Sequence, residues 1–422
     1  MIYLDLEHKW NNGLTTPILY FHRVRTHVRP NGERFPTVFS EAGVPAHYPT
    51  SLMLNLRSRN ISSLSMRAVA DDLIHLGQVL AFEEIYDFHE RLLNGRLLND
   101  FEIEAITARM GLETALLRRL NDPKVRRHGG KERLPDTAAA VTNARKARRI
   151  TSTARYVDLV TRIGEAQVSS AERRERAQFR KEMVEHIRAL RPRGRSSRVR
   201  GAVRESELAK VATFIVSGDA EEIWTDPSIQ ERNWAIVSLL VLAGLRSSEL
   251  RQIRTDEVDT NECTLIVSRR PDDPQDPRTN EPNAKTADRI IPLSHDLAER
   301  LDRYLLGSGQ QAALISGSPF VFLSSGNSSY GEPISQSVIN NAVRQLGVHL
   351  GVPHLHPHAL RSAWLQNLAA WANAKGIGPS ELDRFANYLG GWSYLSKISS
   401  HYRGDHLTRK AFEAGLIVEE ER

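Results

Sequence analysis

HPHALRSAW, residues 356–364, sets an imidazole and a guanidinium three residues apart. Pro357 suits the first turn of a helix, where a missing N–H costs nothing. The spacing therefore predicts a helix that carries His358 and Arg361 on one face. A planar guanidinium fork matches the oxygens of a phosphate, and an imidazole moves a proton near neutral pH. A polar first turn of an ordinary helix fits the same letters. So does a metal triad of His354, His356 and His358 alternating along a strand. Pro353 and Pro357 interrupt such a strand, and no carboxylate or cysteine lies beside it in sequence.

Working outward, LAGLRSSELRQI at residues 242–253 predicts a helix with Arg246 and Glu249 on one face. A surface ion pair would look the same. NAKTADRIIPL, residues 283–293, puts Lys285 where a loop enters an apolar strand. The segment YLGGWSYLSKISSHYRG, residues 388–404, gathers Tyr388, Tyr394, Tyr402, Trp392 and His401 late in the chain. Each stretch alone is ambiguous between chemistry and packing.

Their order is more telling. Arg-x-x-Glu, a lysine ahead of a strand, His-x-x-Arg, then Gly-Trp and a late tyrosine resemble the tyrosine recombinase (phage integrase) family. AGLRSSEL is similar to that family's first-arginine box, KTADRIIPL to its hairpin lysine box, HALR to its His-x-x-Arg box and LGGWS…HYRG to its final box. The resemblance covers roughly residues 205 to 415. It implies DNA strand exchange through a covalent 3′-phosphotyrosine, with Tyr402 as nucleophile. Arg246 and Arg361 would stabilise the phosphate in the transition state, His358 would act as general base or acid, and Lys285 would protonate the leaving 5′-oxygen. Trp392 would donate its indole N–H to the phosphate, and Glu249 would orient a neighbouring side chain. No metal or cofactor is implied. The interval from Trp392 to Tyr402, 402 − 392 = 10, is one longer than the family pattern, which leaves Gly391 as the alternative at the tryptophan position. Tyr394 is the alternative nucleophile. A long Pro- and Asp-rich loop over residues 269–284 precedes Lys285 and leaves Lys397 as the alternative lysine.

Around these boxes the fold class expected is multidomain: a helical core-binding domain of SAM-like type, then a mixed α+β, mostly helical catalytic domain. Residues 1–48 read as an extension of short strands and turns with no assignment. Residues 49–190 read as the helical DNA-binding domain, with Met66, Val69, Leu73, Leu76 and Leu80 at helical steps and a helical stretch from about residue 151 to 190. Residues 123–150 are rich in Lys and Arg. Residues 191–204, RPRGRSSRVRGAVR, carry Arg191, Arg193, Arg195, Arg198, Arg200 and Arg204 without one acid, as a linker laid against phosphates would. A solvated tether is the plainer alternative. Residues 205–422 form the expected catalytic domain, with strands at 264–268 and 289–293.

Composition agrees with a nucleic-acid partner without proving one. The 422 residues hold 57 Lys and Arg against 51 acids, a net charge of +6. One cysteine, Cys263, excludes an internal disulfide. The N-terminus has no apolar signal-peptide core, and the most apolar run, residues 234–245, is too short to cross a bilayer, so a cytoplasmic location with no membrane partner is expected. The expected partner is double-stranded DNA with paired half-sites. It would be bound by a dimer or tetramer of the chain, with or without accessory DNA-binding proteins, as two lobes gripping opposite faces of the duplex. A nicking-closing enzyme of the type IB topoisomerase kind and a non-catalytic DNA-binding protein are the alternatives.

Overall fold

The structure, a computed structural model, describes residues 21–96, 98–122, 124–125, 140–192, 203–282 and 286–393. They fall into two compact units that divide between residues 196 and 197.

The first unit is built round one long apolar helix, α2 (Ser63–Phe82). The Ser62 hydroxyl caps it by accepting from the Ser65 amide at 3.4 Å. Met66, Leu73, Leu76 and Leu80 follow the predicted helical steps and are buried. They pack with α1 (His47–Ser58), the short helices α3 (Phe88–Leu93), α4 (Asp100–Arg109) and α5 (Thr114–Leu120), and the pair α6 (Asn143–Glu165) and α7 (Ser170–Ala189). The helical stretch expected from about residue 151 to 190 is made of two helices, the first of which begins earlier, at Asn143. Ser169 starts the second by accepting from the Glu172 amide at 3.4 Å.

Residues 1–48 stood apart in the sequence reading. The described part of them instead belongs to this core. Strands β1 (Arg23–Val28) and β2 (Arg34–Phe39) form an antiparallel hairpin with Arg23 opposite Phe39. Phe21, Phe35 and Val38 share the hydrophobic cluster of α2. Phe21 lies against Gly77, where an added Cβ would sit 3.1 Å from its ring.

The basic run before residue 150 is also partly structural. Arg149 is buried and donates to the carbonyls of Met110 at 2.9 Å and Leu112 at 2.6 Å, and to the Thr114 hydroxyl at 3.1 Å. His75 faces it at 3.1 Å. Burial, then the Arg149 charge, push His75 down to about 3, so it stays neutral. Arg148 pairs with the buried Asp72 at 2.9 Å, which also accepts from Ser152 at 2.8 Å. These bonds tie α6 to α2.

The second unit centres on α9 (Pro227–Leu242), with Pro227 at its first turn and Asp226 accepting from the Ser228 amide at 2.9 Å. Around it pack α8 (Glu205–Ser217), α11 (His295–Leu306), α12 (Ser308–Ser316), α13 (Gln336–His349) and α14 (Pro357–Ala374). A small antiparallel sheet runs β3 (Val258–Asp259), β4 (Thr264–Val267), β5 (Arg289–Pro292). Leu265 pairs with Ile291 and Val267 with Arg289, all four buried, while Ile266 and Ile290 are exposed. The period-2 alternation therefore turns the charged Arg289 inward.

The loop after β4 contains no helix or strand over residues 269–282 and is held by ion pairs. Arg254 meets Asp273 at 2.6 Å, and Arg278 meets Asp276 at 2.7 Å while donating to the Ile334 carbonyl at 2.8 Å. The Glu281 carboxylate accepts from the amides of Asp272 at 3.1 Å and Asp273 at 2.9 Å. Among the described residues no helix is long and apolar enough to cross a membrane.

Candidate active site

Five of the predicted residues, Arg246, Glu249, His358, Arg361 and Trp392, meet in the second unit. Arg246 does not ride on a helix with Glu249, as the spacing suggested. It is the N-cap of a single-turn helix, α10 (Ser247–Leu250), and its extended backbone puts the amide within 2.8 Å of Glu249 Oε2. The motif is a capping box in which the third helical residue turns back on the cap. The Arg246 side chain then reaches the same carboxylate, Nη1 to Oε1 at 3.2 Å. The chain arrives here through Gly244 at φ +63°, where any Cβ would lie 2.2 Å from the Trp364 ring.

Pro357 opens α14 as expected, and His358 and Arg361 lie three residues apart on it. His356 is the N-cap, with its Nδ1 3.0 Å from the His354 carbonyl, so the three histidines do not share a strand. Arg361 is 2% exposed. Its Nη1 donates to the Gly244 carbonyl and its Nη2 to the Gly390 carbonyl at 2.7 Å. Arg246 Nη1 donates to that same Gly390 oxygen at 2.8 Å. Two guanidinium groups from separate elements thus converge on one carbonyl.

That carbonyl closes α15 (Pro379–Gly390), which ends in Gly391 at φ +63°. The left-handed residue turns the chain so that the Trp392 amide returns to the Asn387 carbonyl at 2.9 Å. The Trp392 ring then lies under both arginines, 4.6 Å from the Arg361 guanidinium carbon and 5.5 Å from that of Arg246. Cation–π contact of this kind fixes the plane of each guanidinium. A Cβ on Gly391 would lie 2.6 Å from Arg289 and 2.7 Å from Thr286, which leaves no room for a side chain there. Of the two alternatives for the tryptophan position, Trp392 is the one stacked on the arginines.

His358 is exposed on the surface of α14. Partial desolvation, then the neighbouring His356, Arg361 and Arg246, hold its imidazole below the usual histidine range. It is therefore neutral at neutral pH and able to accept a proton.

Two residues at the site escaped the sequence reading. Arg289 forks onto Glu249, Nη1 to Oε1 at 3.1 Å and Nη2 to Oε2 at 3.0 Å, and its Nε donates to the Leu389 carbonyl at 2.7 Å. Thr286 donates its hydroxyl to Glu249 Oε1 at 2.5 Å. Burial alone would raise the Glu249 carboxyl. The Arg289 hydrogen bonds and charge, with the Arg246 amide and Thr286, outweigh burial and hold it below the usual carboxylate range. The inward register of Arg289 in the strand RIIP was the signal that could have found it.

Lys285 and Tyr402, and the alternatives Tyr394 and Lys397, lie outside the described residues, as do Arg193, Arg195, Arg198 and Arg200. Arg191 follows α7 and donates its Nε to the Arg188 carbonyl at 3.0 Å, while Arg204 caps α8 through its amide to Glu207 Oε2 at 2.7 Å. Among the described residues no group of three or more His, Cys, Asp or Glu is placed to hold a metal ion.

Residues 218–406 match the model of the phage integrase family. The span takes in every one of the site residues just described. This part of the chain is therefore similar to the phage integrase, or tyrosine recombinase, family. Among its relatives is the tyrosine recombinase XerC of Anoxybacillus flavithermus, 23% identical over 206 residues, 47% of this chain and 60% of the relative. Another is a tyrosine recombinase of Pseudothermotoga lettingae, 24% identical over 162 residues, 38% of this chain and 48% of the relative. The chain thus spans about half to three fifths of the curated relatives it matches. Among solved structures, the XerA recombinase aligns over 87% of this chain and 97% of its own, with 16% identity and a TM-score of 0.35.

Proposed function

We propose that this chain is a site-specific DNA recombinase or integrase that cleaves and rejoins strands through a 3′-phosphotyrosine on Tyr402. The observation that carries this reading is the shared hold of Arg246 and Arg361 on the Gly390 carbonyl and on the Trp392 ring. Two preorganised guanidinium groups beside a neutral histidine form a suitable cradle for a phosphate that gains charge as it is attacked. Tyr402 follows Trp392 by 402 − 392 = 10 residues in the sequence.

In this mechanism the Tyr402 hydroxyl attacks the scissile phosphorus, and His358 takes its proton. Arg246, Arg361 and the Trp392 indole steady the phosphoryl oxygens. Lys285 protonates the departing 5′-oxygen, and attack by a 5′-hydroxyl of the partner strand reverses the step. Two arginines, a lysine and an indole supply the positive field, so no metal is needed. The partner is duplex DNA with paired half-sites, bound by a dimer or tetramer of the chain in the cytoplasm. The matching relatives are named tyrosine recombinases, which agrees with this activity.

The test is a nicked suicide duplex, on which the cleaved product is trapped as a covalent adduct. The unsubstituted chain should form the adduct in EDTA, and Tyr402→Phe should bind the duplex and form none. An adduct that persists in Tyr402→Phe and vanishes in Tyr394→Phe would reassign the nucleophile. Adduct formation without recombinant product from paired sites would point to a nicking-closing enzyme instead.

A further inference from the structure

The geometry points to Arg289 as a positioning residue for strand cleavage: through Glu249 it sets the Arg246 guanidinium, and through the Leu389 carbonyl it sets the turn that presents Trp392. The inference rests on the proposed reading of the site, and it concerns a residue that this reading does not use.

The side chains of Arg289 and Glu249 are both essentially without solvent, 1% and 0% exposed. A buried carboxylate keeps its charge only if its oxygens are saturated by donors. Here Glu249 receives the full fork of Arg289, the Thr286 hydroxyl, and the amide and side chain of Arg246. The fork fixes the plane of the carboxylate, because two parallel N–H···O bonds leave it one orientation. That plane decides where Oε1 meets Arg246 Nη1. Arg361 is also 4.0 Å from Oε2, so one carboxylate stands between three guanidinium groups.

The third nitrogen of Arg289 does a second job. Its Nε holds the Leu389 carbonyl, one residue before the Gly390 carbonyl that Arg246 and Arg361 share. Gly391, next in the chain, packs against the Arg289 guanidinium. The last carbonyls of α15 are therefore held by three arginines, and Arg289 is the one that also fixes the carboxylate. A lysine in its place would keep the charge but could not serve both groups, since its single ammonium lacks the planar fork.

Without Arg289 the Glu249 carboxyl would lose its principal stabilising partner and take up a proton more readily. Once protonated, it would hold Arg246 less firmly. The signature is thus an acid-side loss of cleavage, which a purely structural role would not produce. Single-turnover cleavage of the suicide duplex should be measured from pH 5.5 to 9 for the unsubstituted chain, Arg289→Gln, Glu249→Gln and the double variant. DNA affinity and thermal stability are recorded alongside.

Arg289→Gln is expected to cleave at least about 10-fold more slowly at pH 6 with a smaller deficit at pH 8, and to bind DNA within about twofold of the unsubstituted chain, since one missing stabiliser of a reacting group costs at least this much. The double variant should be impaired by less than the product of the two single deficits, because the part of the role that runs through Glu249 is already lost in Glu249→Gln, and what Arg289→Gln adds is the loss of its hold on the Leu389 carbonyl. If Arg289→Gln does not fold, Arg289→Lys should show the same acid-side loss at smaller amplitude. Cleavage by either variant within twofold of the unsubstituted chain at every pH would overturn the inference. So would a deficit that is equal at all pH values and multiplies with that of Glu249→Gln. Absence of any Tyr402-dependent adduct in the unsubstituted chain would instead sink the reading of the site on which the inference rests.

Discussion

His358 shows how one side chain's surroundings set its chemistry. Partial desolvation and three neighbouring cations or potential cations keep its imidazole below 6.5. In an unfolded chain the same group titrates at its ordinary value. Folding therefore favours the neutral form, and stability is lost as pH falls below 6.5 toward the lowered folded value. If the neutral imidazole accepts the Tyr402 proton, single-turnover cleavage should be level from about pH 7 upward and decline only on the acid side of 6.5. His356 is the neighbour that lowers it most, so His356→Gln should move that decline upward toward 6.5. A pH–rate profile of both proteins checks this. A decline centred above 6.5 in the unsubstituted chain, or a downward move in His356→Gln, would remove His358 from the role of base.

At the scale of elements, the site is made where chain turns meet, and glycines make those turns possible. Gly244 leads into α10 at φ +63° and its Cα faces Trp364. Gly244→Ala should cost about 1–3 kcal/mol from the left-handed backbone alone, and the Cβ 2.2 Å from the indole must also displace Trp364 or the Arg361 contact to the Gly244 carbonyl. Gly317→Ala is the matched control, at φ +66° with nothing within 4 Å of the added Cβ. Both variants should melt lower by calorimetry, and at a temperature where both remain folded only Gly244→Ala should lose cleavage. Equal cleavage by the two would mean that this turn does not shape the site. Much of the element plan was legible: the periodic Met66, Val69, Leu73, Leu76 and Leu80 lie on one helix, and the strands at residues 264 and 289 pair as a hairpin would. Arg246 and Glu249 were read as one helical face because i,i+3 spacing also describes a capping box, and the letters do not separate the two. Arg289 is not legible in the sequence, because a charged residue at the head of an apolar strand reads as solvent-facing until a register fixes its side of the sheet. The inward Arg149 is hidden for a similar reason: it looks like surface charge until the carbonyls after α4 are seen to meet it, and the exposed Arg148 gains its partner only through the buried Asp72.

At the scale of the whole chain, charge gives the handle on the proposed duplex partner. Residues 191–204 carry six arginines and no acid. The outer two have local duties, Arg191 at the end of α7 and Arg204 at the cap of α8. The four between them, Arg193, Arg195, Arg198 and Arg200, lie outside the described residues. Like charges at such density repel one another unless a polyanion neutralises them, and each phosphate so neutralised releases counterions. Each such contact adds about 0.9 to the slope of log affinity against log salt. Replacing Arg193, Arg195 and Arg198 by Gln should then flatten that slope by about 2 to 3 and weaken binding to specific and random duplexes alike. The site residues are untouched, so cleavage by enzyme already on the DNA should survive. A salt titration of binding on both kinds of duplex decides among three states of the segment. The flattened slope on both would place it on phosphates. An unchanged slope would make it a solvated tether between the units. A loss confined to the specific duplex would make it a reader of bases, since phosphate contacts cannot tell one sequence from another.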